Sequence, residues 1–176
     1  NVMPPIGQRL NGQNFYPAEL LECQECQLVQ LGCIVDQEEV FPLDYAYTSG
    51  STRLLRKNFK ELAWEAKSLH IAVGGLVVDI GSNDGTLLDQ FRWEFSQVWN
   101  LHLLGIEPTN AAKIAEQKGI ETWQVFFNKG VAESIVLTKG MKANLITCCN
   151  CFAHMPDING IMEGIHHLLA DDGVFI

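Results

Sequence analysis

The run Asp79-Ile80-Gly81-Ser82-Asn83-Asp84-Gly85-Thr86 concentrates more chemistry than any other stretch of the chain. It follows the apolar Leu76-Val77-Val78 and opens a helical segment. A glycine turn at the carboxyl end of a strand lets backbone approach a ligand closely, because no Cβ intervenes. Two phosphate-binding patterns are excluded. Asn83 and Thr86 stand where the dinucleotide pattern G-x-G-x-x-G needs its second and third glycines, and no Lys-Ser/Thr follows as a P-loop requires. What remains is an acidic strand end with a G-x-x-x-G turn. Asp79 and Asp84 would repel a pyrophosphate. They suit a ligand that is cationic or zwitterionic here, such as a sulfonium nucleoside with an amino-acid tail. Asp84, Asn83 and Ser82 are also candidate caps for the following helix.

A second acid stands at the end of the next apolar segment, in Gly105-Ile106-Glu107-Pro108. Glu107 lies about 20 residues past the turn, where an acid that accepts ribose hydroxyls is expected. A carboxylate can take two O–H donors at once. The competing reading is a solvated glutamate at a strand end.

These residues need strands that end where the acids stand. Leu76–Ile80, Leu101–Ile106, Glu121–Val125, Ala143–Cys148 and Gly173–Ile176 read as strands. Thr86–Phe95, Asn110–Lys118, Gly130–Thr138 and Asp157–Leu169 read as the helices between them. The alternation predicts an α/β, Rossmann-like fold: a mostly parallel sheet with helices on both faces. Upstream, Leu54, Leu55, Phe59, Leu62, Ala63, Ala66 and Leu69 follow helical spacing. Residues 1–50, with Pro4, Pro5, Pro17 and Pro42, read as a small loop-rich lobe. The expected organisation is a partial zinc-binding lobe over 1–50, a linker helix over 51–74 and the Rossmann-like domain over 75–176. The chain begins at Asn1 and stops inside Val174-Phe175-Ile176, so truncation at both ends is expected.

Hydrophobic residues make up 47% of the 176 and charged residues 19%, which supports a core and argues against disorder. Twelve Lys+Arg against 21 Asp+Glu give a net charge of -9. That balance favours neither a nucleic acid nor an anionic membrane surface as partner. No apolar run approaches the ~20 residues of a membrane helix, and no signal peptide is read.

Together the glycine turn and Glu107 resemble the class I S-adenosylmethionine-dependent methyltransferases. The likeness narrows further. The runs Tyr16–Leu31, Tyr45-Ala46-Tyr47-Thr48-Ser49-Gly50-Ser51, Asp79–Thr86, Gly105–Pro108 and Asn150-Cys151-Phe152-Ala153-His154 resemble the sugar C-methyltransferases that carry an N-terminal zinc lobe. The resemblance implies methyl transfer from S-adenosyl-L-methionine to carbon, with a nucleotide-linked deoxy-keto sugar as acceptor. It implies cofactor contacts from Asp79, Gly81, Ser82, Asn83, Asp84, Gly85, Glu107, Pro108 and Asn150, with Asn150 beside the methionine portion. The family's zinc lobe uses two cysteine pairs, of which one is present here. Its main acid–base group belongs to a region beyond residue 176, so cofactor binding with little turnover is expected of this chain.

Carbon is a poor nucleophile until a proton next to a carbonyl is removed, so C-methylation needs a base and a holder for the enolate oxygen. His154, after the fourth strand, is the local candidate for shaping that site; a surface histidine beside a helix is its alternative. His166 and His167 read as structural, and His70 and His102 carry no signal. Tyr45, Tyr47 and Ser49 read either as a lid over the cofactor or as packing. Trp123–Phe127 reads either as a wall for adenine or as core.

The six cysteines, Cys23, Cys26, Cys33, Cys148, Cys149 and Cys151, do not form the framework of a small secreted domain, so a reduced, cytoplasmic setting is expected. Cys23-x-x-Cys26 has the spacing of half a zinc knuckle, whereas a structural site takes four ligands. Cys33 is a possible third at a non-standard spacing. Cys148, Cys149 and Cys151 read as small buried side chains. Two rival functions remain: an NAD-dependent oxidoreductase on the same architecture, and an inactive, zinc-stabilised binding module. The oligomeric state is not legible.

Overall fold

The computed structural model describes residues 14–69 and 71–176. Pro4, Pro5 and His70 lie outside the described residues. The chain divides into two compact units, one up to Pro42 and one over Leu43–Ile176.

In the first unit, β1 (Leu20–Glu22) and β2 (Val29–Leu31) form an antiparallel hairpin in which Leu21 faces Gln30. Cys23 N–H donates to Leu28 O at 2.9 Å and Gln27 N–H to Cys23 O at 2.9 Å. Gln27 takes the left-handed conformation, φ +61°, that such a tight reversal needs. A single helical turn, α1 (Gln37–Val40), is capped by Asp36, whose carboxylate accepts from Glu38 N–H.

The second unit begins with α2 (Arg53–Glu65), followed by a 3₁₀ turn over Ala66–Leu69. Then come β3 (Leu76–Ile80), α3 (Thr86–Trp99), β4 (His102–Ile106), α4 (Ala111–Gln117), β5 (Glu121–Trp123), α5 (Lys129–Lys139), β6 (Ala143–Thr147), α6 (Ile158–Leu168) and β7 (Leu169–Phe175). The five strands form one parallel sheet in the order β5-β4-β3-β6-β7. The chain grows outward from β3 on one side, then returns to its other side with β6. The strand order therefore reverses between β3 and β6, the place where open α/β sheets bind ligands.

Every residue of β3 is buried, as expected of a strand covered on both faces. Alternate side chains serve different layers. Val77 and Leu145 pack with Phe59 of α2 and Leu87, Leu88 and Phe91 of α3. Val78, Ile80, Leu104 and Ile146 pack with Ile135 of α5 and Ile161 and Ile165 of α6.

The sequence-based boundaries shift in four places. Strand β7 starts at Leu169 instead of Gly173, directly after α6. Asp171-Asp172-Gly173 has turn composition, yet two exposed aspartates and a glycine sit on this strand where its pairing with β6 is irregular. Helix α3 runs on to Trp99, where Phe95 and Trp99 meet edge to face at 5.4 Å, and Asn100 ends it at φ +45°. Strand β5 stops at Trp123, because Val125 N–H turns back to Trp123 O. The compact-unit boundary falls at 42/43, earlier than the expected 50, because Ser49 and Gly50 hydrogen-bond to the turn after β3.

Candidate functional site

Strand register sets the acids in one layer. Asp79 lies opposite Gly105 of β4 and Thr147 of β6, and Gly105 lies opposite Thr122 of β5. By strand alternation this polar row shares its face with Val77, under α3, one step beyond the apolar layer. Thr147 Oγ1 donates to Asp79 Oδ1 at 2.7 Å. Asp79 is only 3% exposed. Burial pushes its carboxyl up to about 7; the Thr147 hydrogen bond pulls the other way, and the nearby Glu107 charge adds to the rise.

The turn after β3 is knotted to the end of β4. Gly81 and Ser82 N–H both donate to Ile106 O, at 2.8 and 3.1 Å, and Gly85 N–H donates to Ser82 O at 3.0 Å. Asn83 N–H donates to Glu107 Oε2 at 2.9 Å. Gly81 has φ +74°, and a Cβ there would fall 2.7 Å from Cys151 Sγ. Cys151 belongs to the loop after β6 and donates to Ile80 O at 3.0 Å. Glycine is thus needed both for conformation and for the close passage of that loop.

Asp84 is held by donors from three segments. Its Oδ1 accepts from Thr86 N–H at 3.3 Å and from Thr86 Oγ1 at 2.7 Å. Its Oδ2 accepts from Gly50 N–H at 3.2 Å and from Lys118 Nζ at 3.1 Å. Burial pushes this carboxyl up, but Thr86, Lys118 and Gly50 outweigh it and hold the group below the usual carboxylate range. Asp84 therefore binds the first residue of α3 and ties three segments together.

Glu107 is 5% exposed. Besides Asn83 N–H, it accepts at Oε1 from Thr109 N–H at 2.9 Å and Thr109 Oγ1 at 2.5 Å. Three of the roughly four acceptor positions of a carboxylate are filled. Pro108, half-buried, follows directly. Ser82 Oγ is buried and has no hydrogen-bond partner among the described residues. Such an orphaned hydroxyl fits a site completed by a ligand.

Asn150 is exposed in the turn after β6 at φ +61°, and His154 is exposed in the 3₁₀ turn Phe152–His154. Both thus follow β6, on the same strand edge as the glycine turn and Glu107. His166 and His167 are exposed on α6. Tyr45 and Tyr47 form an edge-to-face pair at 6.4 Å, on the segment bonded to Asn83 and Asp84. Trp123 is half-buried and Phe127 belongs to the core with Val78 and Ile106. Sequence reading missed Thr109, Thr147 and Lys118, which hold the three acids. Thr147 alone was findable, since it falls on the same face of β6 as Leu145.

The N–H groups of Gly81, Ser82, Asn83 and Gly85 donate inside the protein, and the Asp84 carboxylate accepts from the first N–H of α3. In dinucleotide-binding folds a pyrophosphate sits there. A model of the family described as "Methyltransferase domain" matches residues 78–175. The chain belongs to that methyltransferase family. It has the α/β, Rossmann-like form of the class I S-adenosylmethionine-dependent enzymes, preceded by the small hairpin unit. The C-methyltransferase NovU of Streptomyces niveus is 31% identical over 166 residues, which cover 93% of this chain and 38% of NovU. The chain thus spans well under half the length of that curated relative. Among solved structures, the plantazolicin methyltransferase BpumL, in complex with a pentazolic desmethylPZN analog and SAH, aligns with TM-score 0.52 at 15% identity. That alignment covers 69% of this chain and 46% of BpumL. Precorrin-6y C5,15-methyltransferase from Geobacter metallireducens aligns with TM-score 0.51 at 11% identity, covering 81% of this chain and 68% of that one. At such identities these structures support the methyltransferase fold.

The expected metal pair belongs to the first compact unit. Cys23 and Cys26 are exposed in the turn between β1 and β2. Backbone N–H groups of Cys26 and Glu25, with the Cys26 side chain, hold the Cys23 thiol below its ordinary range. No cluster of three or more His, Cys, Asp or Glu able to hold a metal occurs among the described residues. Two thiols do not make a tetrahedral zinc site. No described helix is long and apolar enough to cross a membrane.

Proposed function

We propose that this domain binds S-adenosyl-L-methionine over the turn Asp79–Gly85 and serves methyl transfer to a carbon atom of a small acceptor, a nucleotide-linked deoxy-keto sugar being the favoured class. The observation that carries the cofactor is the charge arrangement. Asp79 and Glu107 are buried at the switch point, while the Asp84 carboxylate accepts from the first N–H of the helix that would otherwise receive a phosphate. Carbon as the methylated atom is supported by the likeness to NovU, and the sugar by the family resemblance of the Tyr16–Leu31 and Tyr45–Ser51 runs.

The cofactor supplies an electrophilic methyl group on a sulfonium. Glu107 would accept a ribose hydroxyl and Asp79 would face the ammonium of the amino-acid tail. Asn150, at the end of β6, would border the methionine portion. Ser82 would gain a partner for its hydroxyl, and Gly81, Asn83, Gly85 and Pro108 would shape the cradle. His154 would stand toward the acceptor and help hold the proton or enolate oxygen there. Cys23 and Cys26 would contribute two thiolates to a zinc site completed by further ligands. Metal analysis of the purified protein, wild type against Cys23→Ser, tests that part.

Calorimetry with S-adenosylhomocysteine tests the main reading. Micromolar binding is the expected outcome, and absence of binding at millimolar ligand overturns it. An NAD-dependent oxidoreductase would instead bind reduced dinucleotide, for which Asp84 is an obstacle. Titration with that compound should show no fluorescence change.

A further inference from the structure

We infer that Asn83 is a positioning residue: its side chain clamps the segment Tyr47–Gly50 onto the cofactor turn while its backbone holds Glu107. Asn83 Oδ1 accepts from Ser49 N–H at 2.7 Å and Asn83 Nδ2 donates to Tyr47 O at 3.1 Å. Its own N–H donates to Glu107 Oε2 at 2.9 Å. The residue is 9% exposed and sits at φ +51°. Glycine occupies that region without strain and asparagine tolerates it. The backbone alone would thus be served by glycine, and the side chain's distinct contribution is the clamp.

The clamped segment is fixed from two further directions. Gly50 N–H donates to Asp84 Oδ2, and Arg56, in the first turn of α2, donates to Gly50 O. The approach at Gly50 is close. A Cβ there would fall 2.5 Å from Asp84 Oδ2 and 2.8 Å from Thr86 Oγ1. A Cβ at this position forces the Asp84 and Thr86 side chains, or the segment itself, to shift. Ser49 is buried, whereas Tyr47 keeps 45% of its surface exposed beside the turn. One residue therefore couples the carboxylate proposed for the ribose to the segment that carries Tyr45 and Tyr47. This inference rests on the methyltransferase reading for its effect on ligand affinity, but the clamp itself stands on geometry.

Asn83→Gly isolates the clamp, because it keeps the backbone N–H to Glu107 and suits the positive φ. Hydrogen exchange and calorimetry with S-adenosylhomocysteine are run on wild type, Asn83→Gly and Gly50→Ala. In Asn83→Gly the Ser49 amide should exchange at least about tenfold faster, and ligand affinity should fall about tenfold, the scale of losing two hydrogen bonds. Gly50→Ala, which leaves Asn83 in place, should change both in the same direction. Unchanged exchange at Ser49 and Gly50 in both variants would overturn the clamp. Faster exchange with unchanged affinity would overturn its role in positioning. If wild type fails to bind the ligand, the methyltransferase reading falls, and with it the positioning role, while the exchange data still judge the clamp.

Discussion

Asp79→Asn offers the sharpest test of the charge arrangement, through the pH dependence of stability. In the folded chain burial raises this carboxyl from 3.8 to about 7. Between those values the folded state holds a proton that the unfolded state has released. The contribution of Asp79 to stability is therefore complete below 3.8 and is lost as the pH rises to about 7. The gap of 3.2 units, at about 1.36 kcal/mol per unit, gives a loss of roughly 4 kcal/mol. Asparagine keeps an acceptor for Thr147 Oγ1 and has no charge to desolvate. Urea unfolding of wild type and variant at pH 4.5, 6 and 8 reads the difference directly. Contributions of the other carboxylates cancel in the comparison. Asp79→Asn should gain on wild type as the pH rises, by a few kcal/mol between the ends of the range. A difference that stays constant from pH 4.5 to 8 would show that Asp79 is not desolvated, and would remove the reason for calling it a cation-seeking group. The same logic extends to the ligand. An ammonium beside Asp79 favours its ionised form, so S-adenosylhomocysteine should bind more tightly as the pH rises toward 7, up to about tenfold per unit, and this slope should vanish in Asp79→Asn.

Three further outcomes are expected. Glu107→Gln should be nearly as harmful as Glu107→Ala, because one amide NH₂ must face either Asn83 N–H or Thr109 N–H. Each should lose about 1–3 kcal/mol in urea unfolding and weaken S-adenosylhomocysteine binding about tenfold or more in calorimetry. Gly81→Ala should destabilise by about 2 kcal/mol or more through φ +74° and the contact with Cys151. In a double-mutant cycle with Cys151→Gly, which removes both the Sγ and the Cβ that crowd position 81, the steric part should be recovered, a coupling of about 1 kcal/mol. Lys118→Met should cost about 1–2 kcal/mol at neutral pH, since it leaves the buried Asp84 carboxylate without its cation. That penalty should shrink in acid, where Asp84 takes up a proton, as thermal melts at pH 3.5 and 7 would show.

The sheet, its helices and the placing of the acids were legible because they follow local rules. Leu76–Ile80 is a short apolar run closed by glycine, and Glu107 ends the next run at the expected separation. Two things were not legible, for one reason: they depend on which distant groups meet. The partners of Asp84 come from Gly50, Thr86 and Lys118, and no spacing rule links those positions. Strand β7 carries Asp171-Asp172-Gly173, whose composition speaks for a turn; these residues fall where the register with β6 slips between Ala143↔Leu169 and Leu145↔Val174. The Tyr45–Ser51 segment gave an even choice between lid and packing from its residue types. Its bonds to Asn83 and Asp84 locate it beside the turn, a fact set by tertiary contact.

The three acids divide their work by environment. Asp84 is neutralised by Lys118 and by donors at the start of α3, so it acts as structure. Glu107 holds two backbone N–H groups, which fix its carboxylate and leave it little freedom to turn away from a ligand. Asp79 has a single hydroxyl for company and no cation in contact among the described residues. A buried carboxyl in that state is uphill to ionise. A ligand that brings positive charge would relieve that cost, whereas one that brings phosphate would add to it. This difference separates a sulfonium nucleoside from a dinucleotide more firmly than the count of glycines, because it depends on charge at a buried position and not on the shape of a turn.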